Sequence, residues 1–239
     1  MSFNDIFTLR ALLAIALVLS NWAISSPPNA PPGPTERSMT KAGREFIFIT
    51  IAGPIVTVVQ AILYVGALCE LLAPAALHHH SVLSDMLLFA PADAIRLRLT
   101  FFCGFGGAIG IFGCFLRFKS FQALGNLFTY QLAIRKNHTL ITTGPYQYIR
   151  HPAYTGSIIA AIGTAMFFLG EGSYARECGA LTTYAGILCT AIWASWKVFM
   201  VLNVAQRTMV EDEFLKAEFG DAWNAWAEVV KYKLVPGVY

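Results

Sequence analysis

The sequence predicts an all-α, polytopic helical membrane protein with about five transmembrane helices. A polar functional region, formed by the 117–154 loop and the C-terminal tail, is expected on the cytosolic side. Three observations carry this prediction. Of 239 residues, 56% are hydrophobic and only 13% charged, whereas a typical soluble domain carries about 25% charge. Apolar stretches recur at close to the ~20 residues that a helix needs to cross the hydrocarbon core. Basic and acidic residues also divide between alternate loops, as membrane topology requires. The net charge of +3 is small and dispersed; it gives no footing for nucleic acid and suits basic loops lying on an anionic leaflet.

The first stretch, residues 6–24, is interrupted by Arg10. Asp5 and Arg10 cancel at its start, and Ser20-Asn21-Trp22-Ala23 makes a poor cleavage site, so a retained span is expected over a signal peptide. Residues 25–34 follow, a proline-rich segment that reads as an extended linker. The second span, 46–72, contains Pro54, which suggests a tilt or kink. The third covers 97–116. The fourth, 155–170, is short unless it begins near Pro152, where proline suits the first turn of a helix. The fifth covers 180–203.

Orientation follows from charge. Residues 117–152 hold Arg117, Lys119, Arg135, Lys136 and Arg150 and no acid, whereas 73–94 hold Asp85 and Asp93 and no Lys or Arg. The first of these loops is therefore cytosolic. Arg96 and Arg98 are outvoted. Five spans then bring the 117–152 loop and the 204–239 tail out on the same face, where their polar clusters can meet. The chain divides at this point into N-terminal helices with the linker, 1–116, and a catalytic region, 117–239.

Two clusters carry chemistry. Residues 138–156 set His138, Tyr146, Arg150, His151 and Tyr154 between membrane-length apolar stretches. Ionisable groups so close to hydrocarbon are costly and indicate function. In the tail, Arg207 and Glu211 stand at i and i+4, on one face of a helix continuing out of the fifth span. The bland alternative is an exposed ion pair worth a few tenths of a kcal/mol. Gly220 reads as a helix stop, and Trp223, Trp226, Val229 and Tyr232 read as an amphipathic segment anchored in the membrane interface.

Gly144-Pro145-Tyr146, Arg150-His151-Pro152-x-Tyr154-x-Gly156 and Arg207-x-x-x-Glu211-Asp212-x-x-Leu215-x-x-x-Phe219-Gly220 together resemble the isoprenylcysteine carboxyl methyltransferase family. The likeness covers residues 120–239, about half the chain. It implies an S-adenosylmethionine-dependent enzyme of the endoplasmic reticulum membrane, its site facing the cytosol. The substrate would be the carboxylate of a C-terminal prenylated cysteine, exposed by C-a-a-X processing. It assigns cofactor binding to Gln131 (on spacing alone), His138, Thr139, Leu140, Ile141, Tyr146, His151, Pro152, Ala153, Tyr154 and Glu211. Arg207 would face the substrate as the catalytic and substrate-binding residue. Ile141 departs from the family's valine, and Asp212 stands where a second glutamate is common.

The residue chemistry agrees. A carboxylate is already ionised at neutral pH and needs no general base, only in-line positioning, and Arg207 can grip it bidentately. Glu211, Tyr146 and Tyr154 suit a cationic cofactor. A phospholipid N-methyltransferase shares much of the cofactor pattern, but its amine nucleophile has less use for Arg207. A sterol reductase would need more spans, and a helical scaffold or transporter leaves the polar clusters without purpose.

Other features read as structural. The five cysteines lie mostly in apolar runs and act as small hydrophobes. His78-His79-His80 reads as a solvated loop with no metal. Gly104, Gly106, Gly107 and Gly110 read as small residues for close helix packing. Lys197 is expected to snorkel to the interface, and Glu70 to be interfacial. Farnesyl or geranylgeranyl preference and oligomeric state are open at this level.

Overall fold

The computed structural model of the protein describes residues 3–25, 29–30, 37–38, 44–78, 82–90, 96–129, 133–134 and 138–238. Its helices are α1 (Phe3–Ser25), α2 (Arg44–His78), α3 (Val82–Leu87), α4 (Phe101–Leu124), α5 (Pro152–Leu169), α6 (Tyr174–Glu177), α7 (Tyr184–Phe219) and α8 (Asp221–Val229). Among the described residues, five helices (α1, α2, α4, α5 and α7) are long and apolar enough to span a membrane. Their outer faces carry exposed Leu19, Val65, Leu68, Phe112, Phe115 and Leu202. Such surfaces would be a liability in water and are ordinary against lipid. The only strands among the described residues are an antiparallel pair of two residues each, Arg37–Ser38 with Ala133–Ile134. Gln131, His79 and His80 lie outside the described residues, as does most of the proline-rich linker.

Local chemistry sets the helix ends. The Thr100 hydroxyl accepts from Cys103 N at 3.1 Å and caps α4. That helix therefore begins four residues later than hydropathy suggests, and Leu97 is instead buried beside Tyr174 and Cys178. Pro152 opens α5, as its fixed φ favours. α7 is one continuous helix, capped by Thr183 at 3.0 Å from Gly186 N. It stops at Gly220, whose φ of 52° suits a residue without Cβ.

α4 and α5 meet backbone to backbone. A Cβ on Gly156 would come 2.6 Å from Gly113 O and 2.7 Å from Arg117 N. A Cβ on Gly110 would come 2.7 Å from Leu17 Cδ2 of α1 and 3.3 Å from Gly163 C. The expected small-residue packing is thus present at Gly106, Gly107 and Gly110 and extends to Gly113, Gly156 and Gly163, whereas Gly104 meets only Leu99, at 3.8 Å. Cys103 and Cys114 are buried on this side of α4, and every cysteine is free.

At the far end of the bundle, Glu70 is not interfacial. It is buried, and its Oε2 lies 2.7 Å from Arg10 Nη2 with both side chains 1% exposed. Arg10 Nη1 also donates to Arg98 O at 2.7 Å and Gly172 O at 2.6 Å. Glu70 Oε1 accepts from Tyr174 N at 2.8 Å. The charge that interrupts the first span is therefore the partner of the acid in the second, and together they tie α1 and α2 to the loops flanking α4 and α6. Arg98 pairs with Glu171 at the exposed rim, at 2.7 Å.

Breaking a buried pair leaves an uncompensated charge, so Arg10→Ala should cost about 3–5 kcal/mol of stability. Thermal unfolding in detergent measures it. The double variant Arg10→Met/Glu70→Leu, which leaves no orphan charge, should recover most of the loss. An unchanged transition in the single variant removes this pair from the stability account.

Candidate active site at the end of the bundle

The segment after α8 folds back along the start of α5. Arg150 N donates to Tyr232 O and His151 N to Lys233 O, both at 2.9 Å, and Thr155 Oγ1 donates to Leu234 O at 2.7 Å. The first two bonds satisfy amides that lie just before the helix and have no partner in its first turn. They also bring the two polar clusters together on one face, as the five-span topology requires.

Asp212 is the buried hub of this junction. Its Oδ1 is 3.0 Å from His151 Nε2, and its Oδ2 lies 3.0 Å from Arg150 Nη1 and 3.4 Å from Lys233 Nζ. A carboxylate acceptor places a proton on Nε2 and orients the ring. Arg150 also lies 5.6 Å from the Trp223 ring centroid. The sequence reading noted Asp212 only as a departure from the family pattern.

Glu211, the adjacent residue, points to a different environment. Its Oε2 accepts from the Tyr154 hydroxyl at 2.8 Å, and the same hydroxyl oxygen accepts from Arg207 Nε at 2.6 Å. Its side chain is 27% exposed, and Oε2 stands 3.9 Å from His151 Nδ1. Arg207 and Glu211 therefore share more than a helix face, because one tyrosine hydroxyl bridges them from α5. The two neighbouring acids divide the work: Asp212 is consumed by internal partners, and Glu211 remains accessible.

The loop before α5 supplies a wall. Tyr146, Trp223, Trp226 and Val230 form a buried cluster, with Leu140 and Ile141 against it. Trp226 Nε1 donates to Tyr146 O at 3.2 Å. Burial, and next the neighbouring Glu211 carboxylate, hold the Tyr146 phenol well above its ordinary value of 10. His138 lies 5.7 Å from the Phe219 ring, and Thr139 is exposed. Pro152 and Ala153 are buried in the first turn of α5. α8 is amphipathic as expected, but Trp223 and Trp226 are not membrane anchors. The nearest apolar surface for them is the 140–146 loop, leaving Val229 and Tyr232 outside.

Two more residues acquire partners. Arg117 entered the sequence reading only as a topological charge. Its Nη1 donates to Ala153 O at 3.1 Å and Ser157 Oγ at 2.7 Å, holding α4 against the start of α5. A lone arginine inside an apolar helix was the signal. Lys197 lies over the Trp193 ring at 5.7 Å.

The fold and this junction define a polytopic α-helical membrane protein with a charged and aromatic site at one end of its bundle. Comparison with known proteins narrows that class. Residues 107–217 match the model of the isoprenylcysteine carboxyl methyltransferase (ICMT) family. Similar proteins include a protein-S-isoprenylcysteine O-methyltransferase of Schizosaccharomyces pombe, 30% identical over 49% of this chain and 43% of that protein. One from Dictyostelium discoideum is 29% identical over 56% and 49% respectively. Protein-S-isoprenylcysteine O-methyltransferase B of Arabidopsis thaliana is 30% identical over 53% and 55%. The chain spans about half the length of these relatives.

Asp212→Ala removes the acceptor shared by His151 and the cationic Arg150 and Lys233, at a cost of about 3 kcal/mol. Its unfolding transition should fall accordingly. Hydrogen exchange at the Arg150 and His151 amides should accelerate, because the tail that covers them loses its anchor. Unaltered protection there would show that the backbone bonds hold the tail without Asp212.

Proposed function

We propose that this chain is a membrane methyltransferase acting on the C-terminal carboxylate of a prenylated cysteine, with S-adenosylmethionine as methyl donor. The observation that carries the proposal is the Arg207–Tyr154–Glu211 bridge. It sets an arginine and an accessible carboxylate side by side where α5 and α7 reach the end of the bundle. The names of the family and of the relatives support the same reading. We place the catalytic region at residues 117–239, with 1–116 as supporting helices, in the endoplasmic reticulum membrane with the site facing the cytosol.

The residues present fit the donor chemically. A partly exposed carboxylate, Glu211, flanked by the rings of His151, Tyr154 and Tyr146 is the set that attracts a sulfonium or ammonium cation. Pro152, Ala153, His138, Thr139, Leu140, Ile141 and Gln131 complete the proposed binding set. When bound, S-adenosylmethionine supplies an electrophilic methyl group. The protein does the rest by positioning. The Nε bond to Tyr154 sets the plane of the Arg207 guanidinium, so its fork can orient a substrate carboxylate for in-line attack. No base is required, because that carboxylate is ionised at neutral pH. Burial of the Tyr146 phenol keeps it neutral, so it adds no competing anion to the site. The substrate's lipid gains about 0.8 kcal/mol per buried CH₂ and stays in the bilayer, which is why such a site has to be built at the end of membrane helices.

Transfer of labelled methyl groups by purified protein to N-acetyl-farnesylcysteine, compared with phosphatidylethanolamine, tests the function. Preference for the phospholipid overturns it.

Within the reading, Glu211→Gln should weaken S-adenosylmethionine binding by about 1.5–3 kcal/mol and affect prenylcysteine binding less, measured by cofactor titration. Unchanged affinity returns Glu211 to a structural role. Arg207→Lys preserves charge but loses the planar fork, so the prenylcysteine KM should rise and kcat fall while cofactor affinity holds. Near-native kinetics in that variant sink the clamp.

A further inference from the structure

Away from the site, α2, α5 and α7 border a half-open apolar cavity of about 480 Å³, lined by Gly66 on α2, Thr164 and Ala165 on α5, and Trp193 on α7, and reaching Glu70 and Tyr174 at the far end of the bundle. The Arg–Tyr–Glu bridge does not explain it, and it opens between membrane-spanning helices. Its distance from the site is informative. At 1.5 Å per residue, Thr164 lies about 15 Å along α5 from Tyr154, and Trp193 about 21 Å along α7 from Arg207. A C–C bond of ~1.5 Å in zigzag makes each isoprene unit about 5 Å long. Three units extend about 15 Å and four about 20 Å, measured from a thioether sulfur that stands a few bonds from the reacting carboxylate.

Between the cavity and the site, α7 is little covered. Of its residues 184–204 only Trp193 and Val204 are buried, and α7 touches α5 sparsely compared with the close α4–α5 contact. The inward stripe of α7 therefore borders a seam rather than a packed core.

We infer that this cavity measures chain length: a C20 prenyl group places its fourth isoprene unit inside it, and a C15 group ends at its near rim. This rests on the proposed function and names the chain the site favours. The lining supports it. It is almost wholly apolar, and an isoprenoid end brings no polar group that would need a partner there. Gly66 leaves room on the α2 side, since a Cβ there would meet only Phe168 Cδ1, at 3.9 Å. A larger side chain can therefore enter the cavity without forcing the helices apart.

The test uses full-length protein in lipid nanodiscs, with N-acetyl-geranylcysteine, N-acetyl-farnesylcysteine and N-acetyl-geranylgeranylcysteine as methyl acceptors. Gly66→Leu and Ala165→Phe fill the cavity from two different helices. The inference expects kcat/KM for the C20 substrate to fall about tenfold in each folded variant, with the C15 and C10 substrates changed less than about twofold. Retained C10 turnover reports that a variant is folded. Equal losses on all three substrates, or no loss on the C20 substrate, overturn the inference and leave the cavity to a bilayer lipid. If the unaltered protein methylates none of the three, the proposed function falls, and the inference with it.

Discussion

The glycine-lined contact between α4 and α5 is the constraint on which the site depends. Gly113 and Gly156 let two helix backbones touch, and that contact brings Arg117 within reach of the Ala153 carbonyl and Ser157. The first turn of α5 is thereby held from one side, while the tail backbone holds it from the other. His151 and Tyr154 sit on that turn. A side chain at Gly156 would collide with backbone and not with a flexible neighbour, so no rotamer change could absorb it. In a bilayer, where lipid is as apolar as leucine, such close contacts do the work that water exclusion does in a soluble core.

Sequence alone made the helices legible because hydrocarbon imposes a length and a composition that few other environments demand. The start of α5 at Pro152, the continuation of α7 out of the apolar region and the stop at Gly220 could all be read from local chemistry. The start of α4 was misplaced because hydropathy counts Leu97 as lipid-facing, whereas a threonine cap three residues later decides where the helix begins. Glu70 was misread for a related reason. An acid near the end of a span is most simply interfacial, and its partner, Arg10, is sixty residues away in another helix. Long-range pairing leaves no periodic trace in one sequence.

For the site, helix spacing placed Arg207 and Glu211 on one face, but only the fold shows that Tyr154 bridges them. The difference between Glu211 and Asp212 was invisible in sequence. Two adjacent acids on a helix point about 100° apart, and which of them meets His151, Arg150 and Lys233 depends on how α8 and the tail return. Trp223 and Trp226 carried the composition of membrane anchors, yet the 140–146 loop reaches them first.

The unbroken course of α7 has a mechanical consequence. Trp193, bordering the cavity, and Glu211, at the site, are rigidly joined across about 27 Å of helix. A reorientation of about 10° in the membrane half swings the acid by about 5 Å, more than the length of any contact it makes. Among the described residues, little of the membrane half of α7 is buried by its neighbours, so hydrocarbon thickness helps set that angle. For the proposed methyl transfer, membrane thickness thereby becomes a variable, transmitted through a lever that has no hinge.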